Sequence, residues 1–296
     1  MAGLRLWLMA ARPRTLPAAI APVLVGTVVA IHASEDFRVG AFVAALIGSI
    51  FIQIGTNLAN DYSDAKRGAD SADRLGPVRV TSSGLVAPRR VLHATWLAFA
   101  VAVVAGIYLA TVAGPIILVV GAASILAGVL YTGGPRPYGY AGMGEVFVFL
   151  FFGLVSVNGS YYVQLEQLDR LPFLLSISIG LLSTAILVVN NVRDLETDRR
   201  AGKRTLAVRL GRDDTRALYA TLLVGAYLVL PIALWASDGP AWALLGLLSA
   251  PLAATPLRAV LTRDDGPALN SALAQTGALL AAFSALVTAG FLIALA

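Results

Sequence analysis

The chain has 296 residues, 58% of them hydrophobic and 13% charged, with a mean hydropathy of +0.79. Soluble domains carry roughly 25% charged residues, so a water-soluble globule is excluded. The net charge of +5 accompanies no RNA- or DNA-reading motif, so no nucleic-acid partner is expected, and the lack of cysteine removes disulfides, thiolate catalysis and Cys-ligated metals.

Apolar runs of about 20 residues predict transmembrane helices. The first run, 15–33, follows basic residues, but its length and Pro17 and Pro22 favour a retained helix over a cleaved signal. The second, 39–59, ends in the polar stretch NLANDYSDAKRGAD (57–70). Spans at 91–112 and 114–132 precede a Gly/Pro-rich break, LYTGGPRPYGYAGMGE (130–145). Spans at 144–163 and 172–192 follow, the latter leading into NNVRDLETDRRAGK (190–203), and 217–236, 240–257 and 271–295 complete the set. The expected architecture is an all-α polytopic membrane protein of nine helices. It forms one membrane domain over 1–296, capped by connections at about 60–90, 133–143 and 193–216. The alternating ten-residue segments of a membrane barrel are absent.

Orientation follows from the basic residues. With the N-terminus cytoplasmic, 20 of the 22 Lys and Arg fall on that side, leaving Arg38 and Arg170 outside. Nine spans then put the C-terminus outside. His32 and His93 sit near span ends and far apart, so no haem or His-metal site is expected.

The acids carry the functional signal. Asn57 and Asp61 recur as Asn190 and Asp194, each displaced by 133 residues, and Asp64 is matched by Asp198 at 134. Gln53, Asn57, Asn60, Asp61 and Asp64 share one helical face, and Asn190, Asp194 and Asp198 form a second such stripe. These residues could be helix-end charges solvated at the interface, or an ion path of a cation-coupled transporter. Matched stripes of carboxylates and amides more directly suit Mg²⁺, which takes few protein carboxylates and completes its shell with substrate phosphates. The only two lysines, Lys66 and Lys203, follow the two acid groups, and Arg67 and Arg193 stand beside them. Acids with adjacent cations at the end of an apolar span suit a magnesium-bridged diphosphate whose tail lies in membrane lipid. Tyr131, Arg136, Tyr138, Tyr140 and Glu145 offer hydrogen bonds and aromatic faces on the same side.

These blocks resemble the UbiA-type intramembrane prenyltransferases. The family's N-D-x-x-D motif matches Asn60, Asp61 and Asp64, and its D-x-x-x-D motif matches Asp194 and Asp198. A longer form of the first motif places a third Asp where this chain has Gly68, with Asp70 two residues on. With ARPRTLPAAIAPVLVGT at the start, the blocks are similar to the branch acting on 1,4-dihydroxy-2-naphthoate in menaquinone synthesis. The resemblance implies a bacterial inner-membrane enzyme with a central cavity open to lipid. It implies Mg²⁺ held by Asp61, Asp64, Asp194 and Asp198, and a polyprenyl diphosphate bound by Asn57, Asn60, Lys66, Arg67, Arg136, Asn190 and Lys203. Tyr131 would sit near the breaking C–O bond, and Arg79, Glu145 and Asn191 are nominated to orient the acceptor. Another aromatic acceptor, such as 4-hydroxybenzoate, would preserve the same chemistry.

Overall fold

The computed structural model describes residues 2–69 and 75–296; Asp70 and Asp73 lie outside them. Its helices are α1 (Ala2–Ala11), α2 (Pro17–Ser34), α3 (Val39–Lys66), α4 (Pro88–Ala113), α5 (Ile116–Leu130), α6 (Gly144–Leu165), α7 (Arg170–Arg200), α8 (Leu206–Leu210), α9 (Arg212–Ala236), α10 (Ala241–Thr262) and α11 (Gly266–Ile293). No strand occurs among the described residues.

Eight of these helices are long and apolar enough to cross a membrane. The expected crossing at 114–132 is a 15-residue apolar helix, α5. Its rise of about 22 Å falls short of a hydrocarbon core of roughly 30 Å. Gly114, at φ 88, makes the turn from α4 into α5 in a conformation that L side chains resist. The opposite departure occurs in α3 and α7, which run for 28 and 31 residues. At about 42 and 46 Å they outrun the core, so their last turns emerge as helix carrying the acids. The connections expected to begin at 60 and 193 therefore begin as helix, and the chain leaves it only after Lys66 and Arg200.

Hydropathy did not anticipate α1. It lies against the polar end of α3, with Leu6, Trp7 and Ala10 clustered on Leu58, Val80, Val86 and Val91.

The main core is built by α2, α6, α7, α9 and α11, with Val25, Tyr161, Leu182, Tyr219 and Phe283 fully enclosed. The buried Tyr219 hydroxyl is satisfied by Thr276 Oγ1 at 2.8 Å. Lipid tails are as apolar as leucine, so helix association depends on close packing and small residues. In α6 the turns widen over Phe149–Val155, and Gly153 there meets Gly180 of α7. A Cβ at Gly153 would fall 2.7 Å from Gly180 Cα and 2.8 Å from the Ser176 carbonyl oxygen. Gly153→Val should therefore push α6 from α7 and cost about 1–3 kcal/mol, seen as a fall of several degrees in the thermal midpoint of the purified protein in detergent.

Candidate active site

A cavity of about 340 Å³ opens at the polar ends of α3 and α7 and extends between α5 and α6. Its depth is apolar, with Ile52, Val120, Phe151 and Ile186 on the wall. Its mouth carries Arg12, Asp64, Arg79, Tyr140, Asp198 and Lys203. Between them runs a file of rings: Tyr131 meets Tyr138 edge-on at 5.5 Å, Tyr138 stacks on Phe147 at 3.9 Å, and Phe147 on Phe151 at 6.1 Å. The Tyr138 hydroxyl donates to the Ala127 carbonyl at 2.9 Å, and burial pushes its phenol up, keeping that proton in place.

Asp64 gathers the mouth. It is 1% exposed, and such a carboxylate persists only with charged or hydrogen-bonding partners. Arg79 Nη2 lies 3.0 Å from its Oδ2, Lys203 Nζ lies 3.4 Å from the same oxygen, and Tyr140 Oη donates to Oδ1 at 2.7 Å. Lys203 Nζ also stands 3.7 Å from Asp198 Oδ1 and 4.8 Å from the centre of the Tyr140 ring. One ammonium thus bridges acids from both stripes.

The other acid of each stripe faces protein. Asp61 accepts from the backbone N–H groups of Val80 and Thr81, both at 3.1 Å. Asp194 is gripped by Arg193 through Nε at 2.8 Å and Nη2 at 2.6 Å. The same guanidinium donates to Asn190 Oδ1 at 2.7 Å and to Asn270 Oδ1 at 2.8 Å. Asp64 and Asp198 line the cavity, whereas Asp61 and Asp194 stand behind its wall.

Among the amides, Asn57 donates to the Ala11 carbonyl at 3.0 Å, tying α1 to the site, and Asn60 Oδ1 accepts from Thr132 Oγ1 at 2.8 Å. Asn191 donates to Glu145 Oε1 at 2.7 Å. Glu145 therefore takes an amide as its partner. Asn57, Asn60, Asn190 and Asn191 all border the cavity, and Tyr131 does too.

These geometries accompany a clear family relationship. Residues 19–282 match the family model described as the UbiA prenyltransferase family. The chain is 43% identical over 279 residues to the 1,4-dihydroxy-2-naphthoate octaprenyltransferase of Mycobacterium leprae, covering 94% of this chain and 92% of that protein. It is 39% identical over 282 residues to the enzyme of the same name from Escherichia coli, covering 93% and 91%. The chain belongs to the UbiA prenyltransferase family. The fold agrees: a UbiA homolog from Archaeoglobus fulgidus superposes with a TM-score of 0.66 at 15% identity, covering 97% of this chain and 99% of that one. The same homolog bound to DMAPP and Mg²⁺ gives 0.65 at 14% identity, with the same coverage.

Within this UbiA fold the cations expected at the site divide. Lys203 reaches both acid stripes. Arg67 is exposed, donates to the Gly134 carbonyl and sits 5.7 Å over the Tyr140 ring. Lys66 and Arg136 are exposed and do not border the cavity. Arg79, nominated for the acceptor, borders the cavity and pairs with Asp64. Sequence reasoning missed Arg12, which borders the mouth from a left-handed backbone at φ 55. An unusual conformation in a non-glycine residue marks a constrained site, but no residue pattern announces it.

Lys203→Met removes the ammonium shared by the two acids. The loss should cost about 1–3 kcal/mol, because Asp64 keeps Arg79 and Tyr140 while Asp198 loses its bridge to α3. Chemical unfolding of the purified variant beside wild type checks it.

Proposed function

We propose that this protein transfers a polyprenyl group from an allylic polyprenyl diphosphate to 1,4-dihydroxy-2-naphthoate. The allylic C–O bond breaks, a C–C bond to the ring forms, and diphosphate and the acceptor's carboxylate, as CO₂, leave. The product is demethylmenaquinol, a menaquinone precursor. The observation that supports this most directly is the meeting of Asp64, Asp198, Arg79 and Lys203 at the mouth of an apolar cavity. The names of the relatives from Mycobacterium leprae and Escherichia coli supply the acceptor.

The mouth fits Mg²⁺. Its donors are hard oxygens, and two carboxylates from different helices already converge on one positive charge, the Lys203 ammonium. No cluster of three or more acids or histidines able to cage a metal occurs among the described residues. Mg²⁺ takes few protein carboxylates and completes its shell with water and substrate phosphate. Asp64 and Asp198 would hold it, with Asn60 and Asn190 bordering them and Asp61 and Asp194 supporting from behind. When bound, the metal neutralises charge developing on the leaving diphosphate.

The protein's own groups do the rest. Arg79, Lys203 and Arg12 offer positive charge that binds the diphosphate and stays with it as it leaves. The faces of Tyr131, Tyr138 and Phe147 shield the allylic cation, each such contact contributing about 0.5–2 kcal/mol. The apolar depth between α5 and α6 takes the isoprenoid tail and excludes water that would otherwise capture the cation. Asn191, held by Glu145, borders this space where the acceptor ring must lie.

Purified protein given labelled polyprenyl diphosphate, Mg²⁺ and a panel of aromatic acceptors tests the proposal. Product and CO₂ should form with dihydroxynaphthoate, and EDTA should stop both. Turnover with 4-hydroxybenzoate alone would replace the acceptor and keep the chemistry. Asp64→Asn and Asp198→Asn should each lower kcat by about a hundredfold or more, while Asp61→Asn, keeping an acceptor oxygen for one of the two loop N–H groups, should lose less. Equal loss in all three would sink the division between cavity-facing and wall-facing acids.

The same proposal places the polar mouth and the N-terminus on the cytoplasmic side of a bacterial inner membrane. The chain has no cysteine, so single substitutions report topology without background. Arg204→Cys should be labelled by an impermeant maleimide only after the membrane is opened, and Arg38→Cys in intact spheroplasts.

A further inference from the structure

Asn270 lies on α11, outside every motif and outside the cavity wall. Both ends of its carboxamide are nevertheless committed. Oδ1 accepts from Arg193 Nη1 at 2.8 Å, and Nδ2 donates to the Leu75 carbonyl at 2.9 Å. This pairing fixes the amide's orientation, since a flipped amide would set its NH₂ against a guanidinium and its oxygen against a carbonyl. Gly266, in the first turn of the same helix, packs against the same place: a Cβ there would lie 3.1 Å from Leu75 Cβ.

Leu75 lies in the connection between α3 and α4. Four residues on, Arg79 pairs with Asp64, and the next two N–H groups hold Asp61. At its other end the strap is rooted in the second stripe, because Arg193 is clamped by Asp194 and Asn190. A continuous series thus runs from Asp194 through Arg193 and Asn270 to Leu75, and on to the arginine at the mouth.

We propose that Asn270 is a positioning residue for the transfer reaction. It fastens the Leu75–Thr81 segment to α11 and to the Arg193–Asp194 pair, so that Arg79 is held at the diphosphate end of the cavity. The kinetic part rests on the proposed function; the strap itself does not.

Asn270→Asp separates the two roles of the side chain. A carboxylate still accepts from Arg193, so the buried guanidinium keeps its partner and the helices stay paired. It cannot donate to the Leu75 carbonyl, so only the strap is cut. Hydrogen–deuterium exchange of the full-length protein should show amides 75–81 exchanging about tenfold faster, with α7 and α11 unchanged and the thermal midpoint preserved. The KM for the prenyl diphosphate should rise about tenfold with kcat much less affected. Asn270→Gln, which retains donor and acceptor on a longer stem, should recover part of both effects.

In an Arg79→Ala background, Asn270→Asp should add little further loss, because the residue it positions is already gone. Unchanged exchange at 75–81 would overturn the strap. Faster exchange with an unchanged KM, or full additivity with Arg79→Ala, would overturn the positioning role. Absence of any prenyl transfer by wild type would instead defeat the proposed function, and the exchange measurement would still judge the strap.

Discussion

An ionised carboxylate at the end of a membrane helix must be countered by partners from elsewhere in the chain. On insertion scales such a group costs about 2.5–3.5 kcal/mol at mid-membrane, and less near the interface. Asp64 meets that demand with three groups from three connections: Arg79 after α3, Tyr140 before α6 and Lys203 after α7. The backbone reinforces the arrangement, since Arg204 N donates to the Tyr140 carbonyl at 2.9 Å. The connections therefore close over the cavity as one polar assembly, and disturbing one of them changes the surroundings of all three.

Much of this fold was legible because hydropathy reports solvent without reference to topology. The two acid stripes were legible because helical periodicity is local. Their partners were not, because the groups that satisfy Asp64 lie 15, 76 and 139 residues away. Helical phase separates two lysines that proximity in sequence treats alike. Lys66, two residues beyond Asp64, lies about 200° around the helix from it, so it points outward while the distant Lys203 turns in. Helix α1 escaped notice because ten residues with an arginine among them do not resemble a span. What identifies it is its apolar contact with α3.

Arg193 shows the limit of periodicity from the other side. Adjacent residues on a helix do not face each other, and Arg193 would be assigned a different face from Asp194. Its long stem folds back, and the planar guanidinium still makes two hydrogen bonds to the neighbouring carboxylate while reaching α11. The burial of both groups explains why: an arginine held away from water needs every donor engaged.

The 133-residue echo in the sequence consequently has a structural counterpart, although the two halves solve it with different chemistry. Each stripe turns one acid to the cavity and one to the wall. In α3 the wall acid is held by backbone N–H groups of the connection that follows, and in α7 by a side chain on the same helix. The difference has a mechanical consequence. The first connection is fastened directly to its acid, whereas the second stripe's wall acid fastens Arg193, whose reach extends through Asn270 back to the first connection. On the proposed function, Asp64, Asp198 and Lys203 must exchange partners when a diphosphate arrives, while the frame around them must not move. Assigning exchange to the cavity-facing acids and fastening to the wall-facing acids lets both happen at one membrane face. A mouth with four equivalent acids would have to release its connections each time it took up charge.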